Sequence, residues 1–140
     1  MKNILMLIFL FFFSEINSEN KNIKVGAEKI YKYNSFISDK KIGLLVNHTS
    51  MVENKHLIDT LLSLNHKIEK IFSPEHGFTG KIERGKSVNG DTLLIDSIKI
   101  PIISMYGKNR IPTNSDLNGL DIIIFDIQDV GARLYTYISA

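Results

Sequence analysis

"LDIIIFDIQDVG", residues 120–131, is the most strand-like stretch of the chain. Ile122 to Phe125 are uniformly apolar, and all are β-branched or aromatic, the side chains that suit a pleated sheet. The run then stops abruptly at Asp126, with Gln128 and Asp129 close behind.

The same grammar recurs upstream. "KKIGLLVNHTS" (40–50) carries Ile42, Leu44, Leu45 and Val46, a continuous rather than alternating apolar run that predicts a strand covered on both faces, as in a parallel sheet, and ends in Asn47, His48, Thr49 and Ser50. "HKIEKIFSPEHG" (66–77) carries Ile68, Ile71 and Phe72 and ends in Ser73, Pro74, Glu75 and His76. Between them, "KHLIDTLLSLNH" (55–66) spaces Leu57, Ile58, Leu61, Leu62 and Leu64 as a helical stripe. "NIKVGAEKIYKY" (22–33) predicts a short amphipathic helix, and "DTLLIDSIKIPIISMYG" (91–107) two strand pieces about Asp96-Ser97, a hairpin arm. "PTNSDLNGL" (112–120) reads as a brief helix with Pro112 before it and Gly119 near its end. Residues 78–89 are polar and glycine-containing, hence a loop, and "ARLYTYIS" (132–139) opens a further helix. Strands alternating with helices predict an α/β fold with a mostly parallel sheet.

The whole chain has 140 residues, enough for one domain with a core, and a net charge of +2. So small a charge gives no ground for a nucleic-acid partner or an anionic membrane surface. Lys2 followed by the unbroken apolar run Ile4–Phe13 and then Ser14, Asn17 and Ser18 predicts a secretory signal over 1–18. The run is too short to predict a stable membrane span after cleavage. An exported protein, periplasmic or extracellular, is expected, with 19–140 as its working part. The absence of cysteine excludes disulfides. At the other end, "VGARLYTYISA" rises in apolarity and stops at Ala140 without a helix stop signal, which predicts a truncated domain.

Open parallel sheets bind ligands beyond the carboxyl ends of their strands. Three such ends carry polar side chains here: Asn47 to Ser50, Ser73 to His76, and Asp126 to Arg133. Pro74 fixes its own φ and extends Ser73, while Gly77 permits a sharp exit, so Glu75 and His76 are held on a stiff turn. A carboxyl at the mouth of an apolar sheet suits general acid catalysis. Asp126 is costly there unless it is paired or functional, and Arg133 is its candidate partner. Asn47 and Gln128 each offer a donor and an acceptor, which suits sugar or amide recognition. The turn after the first strand has no glycine, which argues against classical dinucleotide binding, and no cofactor is expected. A metal site of His48, His76 and Asp126 lacks a tight ligand motif, and no Gly-x-Ser-x-Gly elbow is present. Carboxylate chemistry on a sugar, a glycan-binding module and a metal hydrolase all stay open on the residues alone.

"GLLVNHTSMV" (43–52), "IFSPEHGFTG" (71–80), "PIISMYGKNRIPT" (101–113) and "GLDIIIFDIQDVGARLYTYIS" (119–139) resemble the N-terminal part of the exo-β-N-acetylmuramidase family. The resemblance implies a Rossmann-like domain that in longer members is joined to a C-terminal domain across the active cleft. It implies an exo-acting glycosidase releasing N-acetylmuramic acid from the non-reducing ends of peptidoglycan fragments, with muramyl saccharides as its partners. Glu75 matches the family's catalytic acid, with His76 beside it, and Asn47, Asp126, Gln128 and Arg133 match polar cleft positions. "TGKIERGKS" (79–87) departs from the family, with Thr79 and Lys86 where an arginine and an acid are usual.

Overall fold

The structure is a computed structural model that describes residues 23–75, 77, 91–107, 110–128 and 131–132. The expected signal segment, the loop over 78–89, His76, Arg133 and most of the last helix lie outside them.

A 3-10 turn at Ala27–Lys29, which buries Ala27, leads into α1 (Ile30–Ile37), which buries Ile37. β1 (Lys41–Val46) follows, and after a tight turn come two short antiparallel strands, β2 (Met51–Val52) and β3 (Lys55–His56). α2 (Leu57–Ser63) starts directly from β3 and buries Leu57, Ile58 and Leu61, the predicted stripe. β4 (Lys67–Ser73), β5 (Asp91–Ile95), β6 (Ile98–Ser104), α3 (Asn114–Leu117) and β7 (Ile122–Asp126) complete the described chain.

Five strands form one sheet in the order β5-β6-β4-β1-β7, and all pairings are parallel except β5 with β6. The expected α/β architecture is present. Parallel neighbours need crossovers, and α2 supplies the one from β1 to β4. Asp96 and Ser97, both at positive φ, form the tight turn of the predicted β5–β6 hairpin. That hairpin is more than an arm, because β6 pairs with β4 over Ile71–Ser73 and extends the main sheet.

The two faces of the sheet are unequal. On the α1 and α2 side, Ile42, Leu44, Val46, Ile68, Ile71 and Ile100 pack with the helices into the main core. The opposite side holds a small cluster of Leu45, Phe72 and Met105. Gly43 faces it because a Cβ there would come within 2.8 Å of Leu120 Cδ1 and 3.0 Å of Phe72 Cε2. Lys70 pins α3 over this side, its ammonium donating to the carbonyls of Ser115, Asp116 and Asn118 at 3.2, 2.8 and 2.9 Å. These carbonyls cluster at the C-terminal end of α3, where a cation is favoured.

β7, the strongest predicted strand, is present but unequally covered. Ile122 and Ile124 pack on the main core, but Ile123 and Phe125 are 43% and 47% exposed. Its apolar run therefore meets a covered face on one side only among the described residues.

Candidate active site

The chain steps from β1 outward to β4 and β6, then returns past β1 to add β7 on the other side. The order reverses between β1 and β7, so the crevice that such sheets offer to ligands opens at their carboxyl ends. Asn47 leaves β1 there, and Asp126 and Gln128 leave β7. Glu75 leaves β4, the strand on the other side of β1.

The turn after β1 is tightly bonded. Asn47 is only 2% exposed, and its Oδ1 accepts from the backbone N–H of Thr49 (2.8 Å) and from Thr49 Oγ1 (2.6 Å). This is the local turn that a short polar side chain forms with its own backbone. Ser50, also buried, accepts from the Asn47 N–H at 3.1 Å, and its Oγ donates to the Asp126 carbonyl. Thr49 Oγ1 accepts from the Gln128 N–H at 3.3 Å. Asn47, Asp126 and Gln128 thus come together at the crevice, with Asn47 facing inward and Gln128 exposed.

Glu75 is half-buried in a turn that Gly77 closes by donating its N–H to the Pro74 carbonyl at 3.1 Å. Gly77 takes the positive φ (72°) foreseen for a sharp exit. The root of the turn is anchored, since the Met105 N–H donates to the Ser73 carbonyl at 2.7 Å. Ser73 Oγ is buried and makes no hydrogen bond among the described residues.

Asp126 sits between two ionisable neighbours. Burial pushes its carboxyl above the ordinary value, and the nearby His56 imidazole opposes that shift. Burial also raises the Tyr33 phenol, with the Asp126 charge adding to the effect. Asp126 lines a groove of about 360 Å³ together with Tyr33, Phe36, Leu57, Ile122 and Ile124. A carboxyl whose folded-state pKa is raised is worth most when protonated. Its contribution is complete below about pH 4 and is lost as pH rises through the raised value. Asp126→Asn removes that loss, so urea unfolding of the variant and parent should diverge in the variant's favour as pH rises from about 4. A gap that closes over that range would contradict the burial argument.

His76 and Arg133 lie outside the described residues, as do Tyr135 and Tyr137. Among the described residues no group of three metal-type ligands comes together, and no helix is long and apolar enough to cross a membrane. The sequence pattern gives His56 no role, and it places Ser50 only among the polar residues that follow β1. His56 precedes the first apolar residue of a helix by one position, with Asp59 three residues on, which is the spacing of a helix start with an unusual residue at the cap.

Residues 42–140 match the family described as exo-beta-N-acetylmuramidase NamZ, N-terminal. The peptidoglycan beta-N-acetylmuramidase NamZ of Bacillus subtilis (strain 168) is 37% identical over 124 residues, covering 86% of this chain and 30% of that protein. Two crystal structures of DUF1343 family proteins from Bacteroides fragilis NCTC 9343 are similar. One is 39% identical with a TM-score of 0.63, covering 81% of this chain and 28% of that one. The other is 33% identical with a TM-score of 0.68, covering 83% and 29%. The chain spans less than a third of the length of each of these relatives. On its sequence and its fold alike, the chain belongs to the exo-β-N-acetylmuramidase NamZ family of peptidoglycan glycoside hydrolases, matching the family's N-terminal region.

Proposed function

We propose that this chain forms the N-terminal, Rossmann-like part of an exo-acting β-N-acetylmuramidase, in which Glu75 protonates the leaving glycosidic oxygen. Its substrates are muramyl saccharides cut from peptidoglycan, and the product is N-acetylmuramic acid from their non-reducing ends. Residues 1–18 act as the export signal and residues 19–140 as the working part, outside the cytoplasm. The observation that carries the reading is the position of Glu75. It stands on an anchored turn at the exit of β4, next to the strand pair whose carboxyl ends open the crevice.

A general acid must be held at the reacting oxygen while the sugar stays free to enter. The Pro74–Gly77 turn holds the acid, and the polar ends of β1 and β7 offer the sugar its hydrogen-bonding rim. Asp126 is the second acidic group of that rim, and His76, Asn47, Gln128 and Arg133 are its remaining substrate-side candidates. Adjacent strands lie about 4.8 Å apart, so β4 and β7, with β1 between them, stand roughly 10 Å apart. That is ample width for one sugar ring.

A chromogenic aryl β-N-acetylmuramide and the matching N-acetylglucosaminide, which lacks the lactyl ether, test the assignment. Aryl release from the muramide alone is the expected result. Equal release from both would remove the muramic acid specificity. Saturable binding of muramyl saccharides without any release would identify a glycan-binding module instead.

A further inference from the structure

We propose that His56 is a positioning residue of the candidate site. One imidazole locks the turn after β1, and through it the Asp126 end of β7, against the start of α2. The inference rests on reading this rim as the site.

Its two ring nitrogens do different work. The Ile58 N–H donates to Nδ1 at 3.2 Å, so Nδ1 is an acceptor and carries no proton. The ring proton therefore sits on Nε2, which lies 2.8 Å from the Asn47 carbonyl and donates to it. Nδ1 caps α2, while Nε2 ties that helix start to the first residue beyond β1. From Asn47 the connection is short. The Asn47 N–H donates to Ser50 Oγ, and Ser50 Oγ donates to the Asp126 carbonyl. The Ser50 carbonyl accepts from the Leu57 N–H at 2.8 Å, which closes the loop back to α2. Thr49 Oγ1 adds the link to Gln128.

Loops at the carboxyl ends of parallel strands are ordinarily among the most mobile parts of such folds. Here the loop is held by side chains, and the β2–β3 hairpin exists to return His56 beneath it. His56 pairs with Met51 across that hairpin, which fixes its place.

The two functions can be separated. The carboxamide oxygen of His56→Asn stands near the position of Nδ1 and keeps the cap, but its side chain is too short to reach Asn47. The amide of His56→Gln reaches the position of Nε2 and restores the donor while losing the cap. Amide hydrogen exchange by NMR reads both. In His56→Asn the Ile58 amide should stay protected, while the Asn47, Ser50 and Gln128 amides exchange about tenfold faster. His56→Gln should show the reverse. A role confined to capping predicts that only Ile58 responds. Parent-like exchange of Asn47, Ser50 and Gln128 in His56→Asn would overturn the proposal, as would their release in His56→Gln.

The unmutated chain gives an independent reading, because long-range ¹H–¹⁵N spectra must show Nδ1 unprotonated and Nε2 protonated. The opposite tautomer overturns the proposal even where a variant does not fold. Affinity for N-acetylmuramic acid should fall about tenfold in His56→Asn and persist in His56→Gln, at one hydrogen bond's worth of positioning. If the parent binds no N-acetylmuramic acid, the functional reading fails, and the exchange pattern still decides what His56 holds.

Discussion

Glu75→Gln should lower turnover of muramyl saccharides by about 10²- to 10⁴-fold, the usual worth of a positioned acid. The substitution keeps the size of the side chain and its hydrogen-bonding oxygen, and removes only the transferable proton. Glu75 is half-buried at a turn, so the fold should tolerate it, with melting behaviour close to that of the parent. The leaving group distinguishes an acid from a nucleophile. A sugar leaves as a strongly basic alkoxide and needs the proton, whereas a nitrophenolate leaves readily without one. The loss in Glu75→Gln should therefore be much larger on a muramyl disaccharide than on an aryl muramide. Equal losses on both would point to Glu75 as nucleophile, and unchanged turnover would remove it from the chemistry altogether.

The strands and the helix between β1 and β4 were legible because each is a run of apolar residues that no other element explains. Ile42–Val46 and Ile71–Phe72 are buried on both sides of the sheet, as continuous apolarity implies. β7 shows what such a run alone does not say. Ile123 and Phe125 are as apolar as their neighbours, yet among the described residues the side they face carries only a small cluster and the short α3. Apolarity records what a strand can bury, and the packing partner decides what it does bury. The β2–β3 hairpin was invisible for a different reason. Its strands are two residues each, Met51-Val52 and Lys55-His56, too short to show any period. The turn that leads into the hairpin is tied to β7 by hydrogen bonds across 76 to 79 positions of sequence, from Ser50 to Asp126 and between Thr49 and Gln128. No local pattern encodes such bonds. The polar rim was legible as three strand ends, while the side chains that join two of them emerge only from the fold.

Ile71→Ala should be the most damaging single truncation described here, costing about 2–5 kcal/mol. Ile71 is fully buried on β4, which has a parallel neighbour on each side, and it pairs with Leu44 of β1 and Ile102 of β6. It belongs to the main core, whose buried side chains come from β1, β4, β6 and both flanking helices, so its truncation opens a cavity in a close-packed interior. The urea midpoint should fall by more than about 1 M with an unchanged slope, which marks lost stability and not a changed denatured state. Ile123→Ala removes the same atoms from a strand of the same sheet, but from a side chain that water already reaches. Its cost should stay within about 1 kcal/mol. The contrast tests the unequal faces of the sheet directly, because equal costs would require Ile123 to be as well covered as Ile71. It also bears on the site. Ile71 stands two residues before Ser73, whose carbonyl anchors the turn that carries Glu75. A cavity there should loosen the acid's support as well as the core, so turnover in Ile71→Ala should fall at temperatures where the chain is still folded. Ile123→Ala, remote from that anchor, should leave turnover at the parent's level.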